Sequence, residues 1–484
     1  MSRTRVSGVD VSTDHWIGGE RVASSRRFEV LSPIDGTPLA SVAAGGPGEA
    51  QAAVRAARAA FPGWAAMGAA GRLPILKRFA EGLRARADDL ARVETADNGS
   101  LLLGNLHRVI PRAAQNIEFF ADHAMTLLDH RIDSPEVVNH VRYDPAGVAA
   151  LITPWNAPLM LTTWKVGPAL AAGDTVVVKP PEWAPLTCSL MADIAAEAGV
   201  PAGVLNVVQG IGEEAGASLV ASDDIDRISF TGSTDTARLI GKSAATTLTP
   251  VAFELGGKSP LVVFADADLD AAAMTVAMQY LNAGQVCLAG TRVLVEESIE
   301  DEFLAKVYAA SDAMTVGDPR EASTRVGPLI TQEHFDRVDG FVRRAIAQGA
   351  RAEWGGRRHE RGGNYYEPTL LRNVRSDMEV VQREVFGPVL TWQTFRDDDE
   401  VVEAANSTRY GLAATVFSRN EARAWALASR VVAGTVWVNC FFIRELGAPF
   451  GGSRESGIGR EGGTWSFDFY CDVKNVAVRK GSFA

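Results

Sequence analysis

Val251-Ala252-Phe253-Glu254-Leu255-Gly256-Gly257-Lys258-Ser259-Pro260 is the stretch on which the reading of the fold turns. Its apolar start reads as a buried strand, Glu254 stands at the carboxyl end of that strand, and two glycines follow that let other groups approach the backbone closely. Upstream, the short apolar runs 148–152, 175–178, 204–208 and 227–230 are each separated from the next by a helical pattern. Such alternation implies βαβ units and a largely parallel sheet covered on both faces. Downstream, a second α/β series runs through 291–295, 389–395, 413–417 and 435–438. Ligands of parallel sheets gather at the carboxyl edge. Polar and Gly-containing motifs indeed follow the runs: Pro154-Trp155-Asn156, Lys179-Pro180-Pro181-Glu182, Thr231-Gly232-Ser233 and Glu254-Leu255-Gly256-Gly257.

Around these two series lie simpler pieces. Ala50, Ala53, Val54, Ala57, Ala60 and Phe61 keep helical spacing, and Leu73, Leu76, Ala80, Leu83, Ala87 and Leu90 repeat it. Residues 127–143 are polar and interrupt the first series, whereas 472–478 alternate like a strand; the two predict a small sheet between distant segments. The chain has 484 residues, 46% of them hydrophobic and 22% charged, which suits two large domains. A net charge of −11 with dispersed arginines argues against nucleic-acid binding. The N-terminus lacks a signal-peptide h-region and no apolar run reaches membrane-span length, so a cytoplasmic location away from membranes is expected. Gly457-Ile458-Gly459-Arg460-Glu461-Gly462 satisfies a dinucleotide expression but follows no βαβ strand, and is read as a turn-rich loop.

The four cysteines, Cys188, Cys287, Cys440 and Cys471, show neither paired spacing nor a His/Cys cluster, so no metal site is expected. Asn282-Ala283-Gly284-Gln285-Val286-Cys287 places one thiol in a Gly-containing loop beyond a helix read at 271–281. Together with Glu254 it offers a nucleophile and a candidate general base.

With these residues in view, the chain resembles the aldehyde dehydrogenase superfamily from about Trp16 to Val478. The motifs that carry the resemblance are Pro154-Trp155-Asn156, Lys179-Pro180-x-Glu182, Phe230-Thr231-Gly232-Ser233, Glu254-Leu255-Gly256-Gly257-Lys258-Ser259-Pro260, Gly284-Gln285-x-Cys287, Glu384-x-Phe386-Gly387-Pro388 and Pro449-Phe450-Gly451-Gly452. The resemblance implies an α/β fold with a Rossmann-type cofactor domain at 1–126 and 144–254, an α/β catalytic domain at 255–452, and oligomerisation segments at 127–143 and 463–484. It implies NAD-dependent oxidation of an aldehyde to an acid through a thiohemiacetal and thioester on Cys287. The Asn156 amide and the Cys287 backbone N–H would hold the oxyanion, and Glu254 would activate the hydrolytic water, with Glu461 a second candidate. NAD contacts would come from Ile152, Pro154, Trp155, Lys179, Glu182, Gly232, Ser233, Leu255, Gly256, Glu384 and Phe386. Glu182 would accept from ribose hydroxyls and repel a 2′-phosphate. Two departures stand out: Ala237 lies where the family often has Gly, and Pro181 lies within Lys-Pro-x-Glu.

Ile110-Pro111-Arg112, Phe442-Ile443-Arg444-Glu445-Leu446, Arg460-Glu461-Gly462-Gly463 and Phe467-Asp468-Phe469-Tyr470 resemble the 2-hydroxymuconic and 2-aminomuconic semialdehyde dehydrogenase branch. There Arg112 and Arg444 would clamp a carboxylate on the substrate, since guanidinium binds carboxylate bidentately. Ordinary surface arginines are the competing reading, and Gly447 departs from the branch pattern. Trp155, Leu161, Trp164 and Phe450 are candidate pocket walls, with core packing the alternative at each. A broad-specificity, aromatic or aliphatic aldehyde dehydrogenase is the neighbouring alternative for the substrate. A cysteine hydrolase is a more distant one, disfavoured because none of the seven histidines has a triad-like setting. Acyl transfer to coenzyme A is a smaller possibility. A small-molecule aldehyde is the expected partner, in a homodimer or homotetramer.

Overall fold

Alternation decides where each strand residue points, and the two central runs show it directly. The computed structural model describes residues 2–127 and 130–482. In Val148–Ile152 and Thr175–Lys179 every residue is buried. Ala149, Leu151, Val176 and Val178 pack into one core, and Val148, Ala150, Ile152 and Val177 into another. Both sheet faces are therefore covered, as a Val-rich parallel sheet requires. The sheet has eight strands, ordered Gly457–Ile458, Val251–Leu255, Arg227–Gly232, Val148–Ile152, Thr175–Lys179, Leu205–Val207, His15–Ile17 and Glu20–Val22. From Val251–Leu255 to Leu205–Val207 all neighbours run parallel.

The second series makes a seven-stranded sheet, ordered Arg351–Trp354, Thr369–Arg372, Val389–Phe395, Arg292–Glu296, Pro260–Val263, Ala413–Phe417 and Thr435–Val438. Leu261, Val263, Val293 and Val295 face one core, Val262 and Leu294 the other. Residues 256–259 carry the chain from the first sheet to the second, because one strand ends at Leu255 and the next begins at Pro260. The buried Arg292 guanidinium fastens this junction by donating to the carbonyls of Lys258 (2.8 Å), Ala404 (2.6 Å) and Ala405 (2.6 Å).

The two distant polar segments do pair: Cys471–Arg479 runs antiparallel to Val137–Pro145, Asp472 opposite Asp144, and His130–Asp133 adds a third strand. The stretch 463–484 also holds a helix, Gly463–Tyr470, whose Phe467 and Tyr470 enter the first core beside Phe120. Met1, Leu128, Asp129, Phe483 and Ala484, which fall in the segments 1–126, 127–143 and 463–484, lie outside the described residues.

Three local expectations change. The helical pattern through Leu90 is two helices, Gly68–Ala85 and Ala87–Asn98, because Arg86 leaves helical geometry at φ −106° and ψ 21°. The helix expected at 271–281 is Leu269–Met278, and a separate turn, Leu281–Gly284, follows with Asn282 and Ala283 left-handed. Within 457–462, Gly457–Ile458 is a strand on the sheet edge, with Gly457 paired to Glu254. A Cβ at Gly457 would stand 2.4 Å from the Phe253 carbonyl oxygen, so glycine permits that pairing.

Replacing Arg292 with Met would leave the buried Lys258 and Ala405 carbonyls without the guanidinium that they accept from, whereas the Ala404 carbonyl keeps Ser407. Each unsatisfied group costs about 1–3 kcal/mol, so a loss of at least about 2 kcal/mol is expected. A chemical or thermal unfolding midpoint equal to that of the parent chain would refute the bracing role.

Candidate active site

The carboxyl end of the first sheet and the loops that lead into the second sheet's strands open into one cavity of about 420 Å³. Asn156 reaches it from the turn after Val148–Ile152, Gly232 and Ser233 from the end of Arg227–Gly232, and Glu254 from the last turn of its own strand. Cys287 enters from the opposite sheet, on the loop before Arg292–Glu296.

That loop is shaped by a run of left-handed backbone at Asn282, Ala283 and Gly284, with φ of 54°, 52° and 68°. A Cβ at Gly284 would stand 2.1 Å from the Gly387 carbonyl oxygen, so only glycine fits there. The turn is tied to the first domain: Asn156 Nδ2 donates to the Gln285 carbonyl at 3.0 Å, and Asn282 Nδ2 donates to the Asn156 carbonyl at 3.2 Å. One amide hydrogen of Asn156 is thereby fixed beside the thiol and the other is left for the cavity. Burial and the carboxylates of Glu384 and Glu254 push the Cys287 thiol up to about 12, while the Arg444 charge acts in the opposite direction.

Glu254 is buried, and its Oε2 has no hydrogen-bond partner among the described residues. Burial and the neighbouring Glu461 carboxylate hold it well above the usual carboxylate range. Glu461 is buried too but fully engaged. Lys165 Nζ lies 2.7 Å from its Oε1, Trp164 Nε1 donates to its Oε2 at 2.5 Å, and Ser229 Oγ donates to Oε1 at 3.3 Å.

A third carboxylate, Glu384, lies against the interdomain link. Its Oε1 accepts from the Gly257 N–H at 3.3 Å, and a Cβ at Gly256 would stand 2.0 Å from its Oε2. Burial pushes it up to about 7. Phe386, at φ 59°, is held by His334, whose Nε2 donates to the Phe386 carbonyl at 2.7 Å, and Trp155 sets its ring edge against Phe386 at 5.2 Å. Ser233 caps the helix Thr234–Ala244 by accepting from the Thr236 N–H, and leaves that helix N-terminus facing the cavity. Ala237, on that helix, packs into the core with Phe230 and Phe253. Lys179 and Glu182 form a 2.5 Å ion pair.

Pro154, Trp155, Leu161, Trp164, Leu255, Gly256 and Phe450 line the cavity as well. Ile152, Lys179, Glu182 and Arg112 do not. Arg112 sits behind the wall, where its guanidinium donates to the Arg444 carbonyl at 3.1 Å. Arg108, four positions earlier in the five-residue π-helical turn Asn105–Val109, lines the cavity instead. The sequence reading missed Arg108 because helical spacing alone did not reveal the extra residue in that turn. It also missed His334, which burial holds down to about 4 and which therefore acts as a neutral donor.

A parallel cofactor-type sheet and a thiol-bearing sheet meeting at one cavity define a dinucleotide-linked enzyme with a cysteine nucleophile. The sequence profile described as "Aldehyde dehydrogenase family" matches residues 21–476, and the chain belongs to that family. It is 43% identical to the 2-hydroxymuconic semialdehyde dehydrogenase of Pseudomonas sp. (strain CF600), over 96% of this chain and 99% of that protein. The 2-aminomuconic semialdehyde dehydrogenase of Danio rerio is 40% identical, over 96% of this chain and 98% of its own. Among solved structures, a mutant of the P. syringae indole-3-acetaldehyde dehydrogenase AldA in complex with NAD+ and IAA superposes with a TM-score of 0.96 at 40% identity, covering 97% of each chain.

Glu254 is ionised only above its raised pKa, so a rate that depends on its carboxylate rises with pH through that value. Glu461→Gln removes a charge that raises it. The ascending limb of the pH–rate profile should move toward lower pH, and a limb that stays in place would contradict the coupling.

Proposed function

We propose that this enzyme oxidises a carboxylated aldehyde to the corresponding acid with NAD. The observation that carries the substrate class is that two guanidinium groups, Arg444 and Arg108, line the same cavity as Cys287, and neither makes an ion pair among the described residues. A substrate carboxylate would supply one. The relatives named for hydroxymuconic and aminomuconic semialdehydes support the same class. This reading replaces Arg112 with Arg108 as the second substrate contact.

In the reaction, the Cys287 thiol gives up its proton to solvent water and Sγ attacks the aldehyde carbon. The alkoxide that forms is received by the free Asn156 amide hydrogen and the Cys287 N–H; such a donor contributes about 2.7–4 kcal/mol. NAD, when bound, accepts the hydride that leaves this carbon, and a thioester remains on Cys287. Glu254 then removes a proton from water as the water attacks the thioester, and the acid leaves with the thiol regenerated. Glu461, already committed to Lys165 and Trp164, orients this machinery and leaves the base role to Glu254.

The residues fit the dinucleotide. The helix start at Ser233 offers free N–H groups to a pyrophosphate, and Glu384, half-buried with a single donor in the protein, offers its remaining lone pairs to ribose hydroxyls. Lys179 and Glu182 would meet the adenine ribose, with Ile152, Pro154, Trp155, Leu255, Gly256 and Phe386 around the cofactor. In this reading 1–126 and 144–254 hold the cofactor and 255–452 carry the thiol, while 127–143 and 463–484 serve assembly. The exposed apolar residues Ile132, Val473 and Val476 of the small sheet support a homo-oligomer. No helix among the described residues is long and apolar enough to cross a membrane, and we place the enzyme in the cytoplasm.

Following NADH formation tests the substrate class. Arg108→Ala should lower kcat/KM for a carboxylated semialdehyde by about 1.5 kcal/mol, roughly tenfold, and leave a neutral aldehyde of similar length nearly unchanged. Equal losses on both, or a parent enzyme that prefers the neutral aldehyde, would remove the carboxylate from the proposal.

A further inference from the structure

The side chain of Asn282 closes a ring of hydrogen bonds between the two halves of the cavity. Its Nδ2 donates to the Asn156 carbonyl at 3.2 Å and to the Gln285 carbonyl at 3.3 Å, and the Gln285 carbonyl also accepts from Asn156 Nδ2 at 3.0 Å. The Asn282 amide thus uses both of its hydrogens, and the Gln285 carbonyl both of its lone pairs. Asn156 follows a strand of the first sheet, whereas residues 282–285 precede a strand of the second. Both asparagines line the cavity with Cys287.

The backbone shows what keeps the ring in place. Asn282 sits at φ 54° and ψ 31°, a left-handed conformation that costs asparagine less than most residues. Its carbonyl accepts from the Gln285 N–H and from Gln285 Nε2, each at 3.0 Å. Gln285 is buried, and its Oε1 accepts in turn from the Ile330 N–H at 3.0 Å. On the other side, Asn98 Nδ2 donates to the Trp155 carbonyl, one residue before Asn156, at 3.4 Å. Each end of the ring is therefore tied to structure beyond it.

We infer that Asn282 is the positioning residue of the oxyanion pocket: it fixes the turn that carries Asn156, so that the amide hydrogen not taken by the Gln285 carbonyl is set before an aldehyde reaches Cys287.

The chemistry asks for such a residue. Charge on the aldehyde oxygen develops only as Sγ bonds to the carbon, and a donor contributes fully only if it need not reorganise at that moment. Misplacing a reacting or stabilising group by about 1 Å costs about a hundredfold in rate. The inference rests on Asn156 being the oxyanion donor but not on the class of aldehyde.

Asn282→Gly tests it, because glycine keeps the left-handed backbone without strain and removes only the amide. Two rates are compared with those of the parent. One is NADH formation with propionaldehyde or succinic semialdehyde, whichever the parent turns over faster. The other is carboxamidomethylation of Cys287 by iodoacetamide, in which Sγ displaces iodide and no alkoxide forms. Oxidation should fall about tenfold or more while alkylation stays within about twofold. Asn282→Asp, which keeps the size but sets a carboxylate against two carbonyls, should fall at least as far. In an Asn156→Ala background Asn282→Gly should add almost nothing, since the group it positions is already gone. An unchanged oxidation rate in Asn282→Gly overturns the inference. So does a loss that multiplies with that of Asn156→Ala, or one that alkylation shares, because Asn282 would then only hold the thiol loop. If Asn156→Ala oxidises like the parent, the oxyanion assignment and this inference fall together, and that variant alone distinguishes this failure from the others.

Discussion

The chain crosses from one sheet to the other in residues 256–259, and this short passage sets the geometry of everything around it. Leu255 closes a strand of the first sheet and Pro260 opens one of the second, so the carboxyl edge of the first is forced against the thiol-bearing loop of the second. Both glycines in the link are pressed from outside. A Cβ at Gly256 would meet Glu384, and one at Gly257 would lie 3.1 Å from the Cys287 carbonyl oxygen and 3.0 Å from Leu412. Larger residues would separate Glu384, Cys287 and the strand that carries Glu254 at once. Arg292 holds the far end of the link through the Lys258 carbonyl, which makes the crossing rigid as well as short.

Within that frame the site is a balance of buried charges. Glu254 gains basicity from burial and from Glu461, whereas Glu461 is held by Lys165, Trp164 and Ser229 and is the less free of the two. Cys287 is burdened by the same burial, and Arg444 is the cation that relieves it. Both groups titrate high: the Glu254 carboxylate, and a thiol that burial keeps protonated with the Arg444 charge acting against that shift.

Much of this was readable from the sequence, for identifiable reasons. The strands Val148–Ile152, Val389–Phe395, Ala413–Phe417 and Thr435–Val438 were found because β-rich runs between helical patterns leave few other foldings. Cys287, Asn156, Glu254 and Glu384 converge on one cavity as the ordered motifs implied. The strand Gly457–Ile458 was missed because it is too short for alternation and depends on an unpaired edge far away in sequence. Arg108 was missed for Arg112 because the π-helical turn Asn105–Val109 shifts which side chain faces the cavity. The commitment of Glu461 to Lys165 joins residues almost three hundred positions apart, a contact that no local pattern encodes.

The central claim is that Cys287 carries the acyl group and Glu254 releases it. Intact-mass analysis of Glu254→Gln after mixing with NAD and an aldehyde tests this most directly. The account predicts one equivalent of NADH formed in a burst, together with a stoichiometric mass increase equal to the acyl group and located on the Cys287 peptide. Loss of the burst with no adduct, or an adduct on any other residue, would contradict it.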